Sequence, residues 1–203
     1  NENTVMSLSE GVEGNQQTIA TAGTVSMIAI PGQSSTALYG YKFVRNEQGQ
    51  IIYDPNTGLP VRPTEIEYVG DATPDWRAGI TNSFKYKNLR FSFTFDCQYG
   101  GIVYSQSYHK LMEQGKLRDS LPGREDGFIV GDGVVLNQDG TYSANTKQVD
   151  LATYYGDYYR RANVEANSFE ASYVKLREVS FTYDFPKKLI DKTGLSNLSL
   201  TAF

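Results

Sequence analysis

Apolar and polar residues alternate almost without fault from Leu89 to Tyr99. Leu89, Phe91, Phe93, Phe95, Cys97 and Tyr99 share one parity; Arg90, Ser92, Thr94, Asp96 and Gln98 share the other. A period of two predicts a strand, because successive side chains leave opposite sides of the pleat. One face is aromatic and the other polar and partly charged. That suits a strand lying between a core and water, or one lying between lipid and a wet lumen. The preceding stretch, Trp76 to Tyr86, alternates in the same way. Ala78, Ile80, Phe84 and Tyr86 lie with Asn82 on one face, against Gly79, Thr81, Ser83 and Lys85. Lys87-Asn88 is the tight connection, so the two strands predict one long hairpin, the repeating unit of an up-and-down barrel.

Weaker patterns flank this hairpin. Residues 1–22 are polar and predict a loop. Gly23–Ile30 predicts a strand stopped by Pro31-Gly32. Leu38–Arg45, with Tyr39, Tyr41 and Phe43 on one face, predicts a strand that turns at Asn46–Gly49 and returns along Ile51-Ile52-Tyr53. Beyond Gly100-Gly101, the residues Tyr104, Tyr108, Leu111 and Met112 form a one-sided helical stripe ended by Gly115. Lys116–Asn167 is long, polar and glycine-rich, and predicts a functional surface loop. Ser168–Phe185 predicts a long strand whose phase changes near Arg177-Glu178; a bulge there, or exit from the apolar band, would account for the move of the apolar face onto Val179, Phe181, Tyr183 and Phe185. Pro186 opens a short helix over Lys187–Lys192, capped by Gly194, and Leu198, Leu200 and Ala202 begin another strand.

Composition agrees with a β-rich chain: 203 residues include 19 Gly, 15 Tyr and 10 Phe. The net charge of -4 and the pI of about 5.1 show no nucleic-acid footprint. No window approaches 18 apolar residues, so no transmembrane helix is expected, but barrel strands alternate and escape such a scan. The start at Asn1 and the stop inside a strand-like run lead us to expect part of a larger protein. The single Cys97 reads as a small buried hydrophobe.

Little in the chain promises chemistry. His109 has no second His and no zinc-ligand spacing near it. Asp126, Asp132 and Asp139 lie among glycines but lack a calcium-loop ladder and its closing Glu. Glu113, Asp119, Glu125 and Asp126 could pair as catalytic carboxylates only as any acidic loop could. We therefore expect no enzyme, no metal and no cofactor. The more interesting group is Tyr154, Tyr155, Tyr158 and Tyr159 with Arg160 and Arg161. Such rings can stack on sugars or form a protein interface. They can equally form a packed loop core or an aromatic belt at a membrane edge. Tyr154, Tyr155, Tyr158, Tyr159 and Arg160 are the candidate ligand-binding residues.

Several blocks together resemble a known family. Tyr68–Trp76, Gly79–Phe84, Tyr86-Lys87-Asn88 and Gln98–Gly101 with Tyr104 are similar to the C-terminal barrel of SusC/RagA-type TonB-dependent transporters. So are Ala171–Ser180, Tyr183–Pro186 and Leu195–Leu200, and the resemblance covers roughly residues 20–203. It implies a fold: antiparallel strands of a transmembrane barrel, here part of a 22-stranded one, with long extracellular loops and one or two short helices. It implies residues 1–203 as a partial C-terminal segment, 102–167 as the long loop region, and a plug lying N-terminal to this chain. It implies an importer of oligosaccharides or peptides in the bacterial outer membrane, driven by TonB and closed by a SusD-like surface lipoprotein. In that setting Phe91, Phe93, Phe95, Phe181, Tyr183 and Phe185 face lipid, and Lys85, Arg90, Asp96 and Gln98 line the lumen. The competing reading is a soluble secreted β-sandwich that binds or adheres; a hydrolase is the weakest of the three.

Overall fold

A computed structural model describes residues 3–9 and 15–203. The chain forms β1 (Gln17–Ala22), β2 (Val25–Ala29), β3 (Ala37–Gly40), β4 (Ile52–Tyr53) and β5 (Glu67–Asp71), then the long pair β6 (Trp76–Tyr86) and β7 (Leu89–Tyr99). Next come β8 (Ile102–Tyr104), α1 (Gln106–Glu113), β9 (Phe128–Val130), β10 (Val134–Leu136), β11 (Tyr142–Ala144), β12 (Gln148–Asp150), α2 (Leu151–Tyr158) and β13 (Ser168–Glu170). The last elements are β14 (Tyr173–Asp184), α3 (Lys187–Ile190) and β15 (Ser199–Ala202). Strands are mostly antiparallel and helices few, an all-β architecture, and no closed barrel forms among the described residues.

Two compact units divide the chain. The first holds Pro74–Gly101 and Ala171–Phe203. It is one antiparallel sheet in the order β15-β14-β7-β6. β6 and β7 pair over all eleven residues of each strand, from Trp76↔Tyr99 to Tyr86↔Leu89. Lys87 supplies the positive φ of 52° that a two-residue hairpin turn needs at its first position. Asn88 ties that turn to β14: its side-chain amide donates to the Asp184 carbonyl at 2.6 Å, and the Asp184 amide donates to the Asn88 carbonyl at 2.8 Å. At the far end β7 stops at Gly100, where φ is 75° and a methyl group would meet the Asp75 carboxylate at 2.6 Å.

The second unit comprises the described residues up to Thr73 together with Ile102–Glu170. Its largest sheet runs β1-β2-β3-β5, over a small core of Val25, Leu38 and Val164 flanked by Met27, Val69, Ile102 and Tyr104. A second core gathers Tyr53, Met112, Val149, Tyr154 and Tyr155. Ser105 caps α1 by accepting from the Tyr108 amide at 3.1 Å, and Gly115 follows the helix with φ of 64°, turning Met112 and His109 inward. Asp150 caps α2 in the same way, accepting from the Thr153 amide at 3.1 Å.

The alternating segments turn out as expected: β6 and β7 have the predicted extents, β14 shifts register between Leu176 and Glu178, and α1 carries Tyr108, Leu111 and Met112 of the predicted stripe, whereas Tyr104 belongs to β8. Other expectations need correction. The polar stretch 116–167 contains α2 and four short strands, and β1 forms within residues 1–22. Ile51–Tyr53 is not the return arm of a regular hairpin. Only Arg45↔Ile51 bridges there, and β4 pairs in parallel with β10, because the chain closes its core with distant partners rather than local ones. The single strand expected over 168–185 breaks at Ala171-Ser172, since β13 takes β8 as its partner and β14 takes β7.

Two interactions in the second unit can be tested directly. A methyl group on Gly40 would overlap the side chain of Val164, which is fully buried, so Gly40→Ala should destabilise this unit by about 1–3 kcal/mol and lower its thermal unfolding midpoint. Val164→Ala in the same chain should relieve part of that loss, a coupling that a double-mutant cycle reads directly. Near β3, Thr36 donates to the Asp71 carboxylate and lies 2.9 Å from Thr73 Oγ1. Burial works to raise the pKa of Asp71, but hydrogen bonds from Ser34, Thr36 and the Thr73 and Ala72 amides outweigh it, and the net shift is downward. A depressed carboxylate stabilises the fold above its unfolded pKa of about 3.9, and that stabilisation is lost as pH falls through the folded value. Asp71→Asn should therefore flatten the acid limb of the stability–pH curve, with a loss at neutral pH of about 1 kcal/mol or less because solvent screens this half-buried group. An unchanged acid slope would refute the assignment.

Candidate functional site

The sheet of the first unit has two chemically opposite faces. Pairing register places Trp76, Ala78, Ile80, Phe84 and Tyr86 of β6 beside Tyr99, Cys97, Phe95, Phe91 and Leu89 of β7. Val174, Leu176, Val179, Phe181 and Tyr183 of β14 continue the same face, and Leu200 and Ala202 of β15 extend it. These residues make a sheet of side chains open to the surroundings: Ile80 is 61% exposed, Phe84 55% and Tyr86 70%. Ring contacts run down its middle, with Phe93 centred 5.9 Å from Phe91, 5.6 Å from Phe95 and 6.2 Å from Phe84. Aromatic side chains mark both ends. Trp76 stacks on Tyr99 at 5.9 Å at one end, and Tyr86 and the Tyr183–Phe185 pair stand at the other.

The opposite face is a set of polar ladders. Thr81 and Thr94 hydroxyls lie 3.1 Å apart, Ser92 and Ser180 2.7 Å, and Thr182 and Thr201 3.0 Å. Arg77 donates to Gln98 at 2.9 Å. One Asp96 oxygen, Oδ2, accepts from Arg177 Nη2 at 2.6 Å, from Arg177 Nε at 2.9 Å and from the Tyr173 hydroxyl at 3.0 Å, so three donors converge on a single charged acceptor. The bulge makes this possible. Leu176 opposes Phe95 and Glu178 opposes Thr94, so Arg177 is the extra residue and reaches the polar side without displacing the apolar row.

The candidate residues of the sequence lie in the second unit, on or just after α2. Tyr154 and Tyr155 are buried, and Tyr158, Tyr159 and Arg160 are half-buried. The structure brings all four rings together. Tyr154 stacks with Tyr158 at 5.4 Å and Tyr155 with Tyr159 at 6.2 Å, while Phe43 lies 4.7 Å from Tyr158 and Tyr108 5.7 Å from Tyr159. Two of their hydroxyls have protein partners: Tyr154 meets Tyr53 at 3.2 Å, and Tyr155 donates to the Pro122 carbonyl at 3.2 Å. Arg160 lies 3.5 Å from Asp157 Oδ1, which also binds Arg62 at 2.8 Å. Burial raises the pKa of Tyr53, Tyr108, Tyr154 and Tyr155 and pushes Tyr158 up to about 12, so these phenols stay neutral at physiological pH and offer no phenolate base. Burial lowers the pKa of Arg160, with Asp157 opposing the shift.

Two further residues weighed from the sequence, His109 and Asp139, serve local structure. His109 is buried, with Nδ1 2.6 Å from the Tyr159 carbonyl. Asp139 accepts from the Thr141 amide and hydroxyl within its own turn, at 3.0 and 2.6 Å. Among the described residues no three His, Cys, Asp or Glu side chains gather as a metal site. No helix among the described residues is long and apolar enough to cross a membrane, which says nothing of crossing by strands. The sequence had identified both faces of the sheet but not the Asp96–Arg177–Tyr173 cluster, whose members are 81 and 77 residues apart along the chain. The phase change near Arg177 was its only local signal.

No known protein-family model matches the chain. It is similar to TonB-dependent receptor P3 of Formosa agariphila, 24% identical over 153 residues, which cover 75% of this chain and 13% of that protein. It is also similar to TonB-dependent receptor P39 of the same organism, 27% identical over 138 residues, covering 66% of this chain and 12% of that protein. The chain thus spans about an eighth of the length of these curated relatives, and the similarity relates it to TonB-dependent receptors.

Proposed function

We propose that this chain forms part of the wall and surface loops of an outer-membrane TonB-dependent importer of the SusC/RagA type. The observation that carries the reading is the two-faced sheet. Its apolar side is exposed along strands of 11, 11 and 12 residues, with aromatics at both ends. Eleven residues at about 3.3 Å each, tilted by about 40°, rise about 25 Å, the height of the apolar band on a membrane barrel. A face of this kind left in water would aggregate, whereas lipid covers it without further protein. The polar side suits a wet lumen. The tight Lys87-Asn88 turn marks the periplasmic end, and the long insertions leave from the Trp76, Tyr99 and Tyr173 end, as extracellular loops do.

In this reading the second unit is the folded form of those extracellular loops. Its tyrosine stack holds the loops in shape, so Tyr154, Tyr155, Tyr158, Tyr159 and Arg160 act on ligand recognition by positioning the surface around them. The imported molecule is an oligosaccharide or peptide, TonB supplies the energy through a plug elsewhere in the protein, and a SusD-like lipoprotein covers the outer opening. The soluble β-sandwich alternative is disfavoured by strand length and by the exposed aromatic row.

One pair of substitutions in the membrane protein that carries this chain tests the wall. Phe93→Lys places a charge in mid-band and should cost about 2–4 kcal/mol of membrane stability, seen as loss of folded protein in outer-membrane fractions. Thr94→Lys, one residue on, points into the lumen and should assemble normally. Equal assembly of the two variants, or a protein that stays dispersed without detergent, would overturn the proposal.

A further inference from the structure

Charge is distributed unevenly over the first unit. It holds nine cationic side chains and five anionic ones, a net of +4 in a chain whose net is -4. At the Trp76–Tyr99 end, Arg77, Lys175 and Arg177 are matched by Asp75, Asp96 and Glu178. The whole excess therefore lies at the Lys87-Asn88 end. Two of the cations there, Lys85 and Arg90, sit directly opposite each other on the polar face. The other four, Lys87, Lys187, Lys188 and Lys192, lie in the two connections that close this end of the sheet, and none makes an ion pair among the described residues.

The same connections expose large apolar side chains. Leu189 is 65% exposed and Leu195 51%, while Ile190 beside them is buried. Tyr86, the last residue of the apolar face, is 70% exposed, and Lys87 Nζ lies 5.3 Å from its ring centre. Two exposed leucines among three lysines and one acid, Asp191, immediately beyond the apolar band, match the chemistry of a bilayer interface. There apolar groups enter the acyl boundary and ammonium groups meet phosphates.

We propose that the Lys87-Asn88 turn and the 185–198 connection form a docking surface for anionic phospholipid headgroups. The proposal rests on the membrane-wall reading above. Leu189 and Leu195 dip into the leaflet, and Lys87, Lys187, Lys188 and Lys192 hold the phosphates of lipids lying against Tyr86. The positive end selects acidic lipids over zwitterionic ones and fixes the depth of this end of the wall.

The test uses the detergent-extracted parent protein, reconstituted into nanodiscs of phosphatidylethanolamine alone or mixed with phosphatidylglycerol. Native mass spectrometry reads the lipids retained, and thermal unfolding reads stability. Retained phosphatidylglycerol should exceed its share of the mixture, with the preference falling up to about fivefold for each lysine changed to Gln. The fourfold Lys→Gln variant should lose the preference, and the fourfold Lys→Arg variant should keep it, which separates lost charge from lost folding. Leu189→Asn with Leu195→Asn should weaken retention of both lipids. Inorganic phosphate in phosphatidylethanolamine discs should not reproduce the stabilisation; if it does, the surface is a simple anion site and the proposal fails. Detergent dependence without any lipid preference would overturn the docking surface alone, leaving these lysines to an acidic protein partner. A protein that needs no detergent would overturn the wall reading as well.

Discussion

The period of two in an antiparallel ladder governs this molecule. Every residue added to or removed from one strand moves all later side chains to the other face. The first unit has to keep one face apolar from Trp76 to Tyr86 and back, and across into β14 and β15. It also has to admit Arg177, whose guanidinium completes the Asp96 cluster. A perfectly regular β14 cannot satisfy both demands, because Arg177 and Val179 would then share a face. The shift between Leu176 and Glu178 resolves this by leaving Arg177 unmatched in the ladder. The uninterrupted apolar row of β14 and the Arg177–Asp96 ion pair are thus consequences of one irregularity.

The second unit obeys a different rule. Its strands are two to six residues long and its helices short, so regular hydrogen bonding holds little of it together. Rings and buried amides do that work. Tyr53 lies under Gly131 and Gly133, where any Cβ would overlap its ring. The Asn167 side-chain amide, fully buried, donates to the carbonyls of Tyr159, Arg160 and Asn163 at 3.2, 3.2 and 2.8 Å. It satisfies the chain just beyond α2, where the helix can no longer do so.

These two regimes explain what could be read from the sequence. Strands with alternating faces declare themselves, so β6, β7 and the bulge of β14 were legible to within a residue. α1 was legible from its stripe and its glycine stop. α2 was not, although Leu151, Tyr154, Tyr155 and Tyr158 recur at helical spacing behind the capping residue Asp150. A tyrosine-rich run suggests recognition as readily as packing, and only the ring contacts in three dimensions show what these residues touch. The pairing of β4 with β10 left no trace in either segment, because a two-residue parallel contact imposes no periodicity on its neighbours.

That pairing also bears on the order in which the chain can fold. Ile52 lies against Val134, and Tyr41 bridges to Asn163, so the second unit is assembled from two stretches with the whole β6–β7 hairpin inserted between them. The hairpin needs only contacts near in sequence and can zip as soon as it is made. The aromatic core must wait for α2 and must close a loop of about eighty residues, an entropic demand that grows slowly with length. Contact order thus places the β6–β7 hairpin before the second unit in the order of assembly.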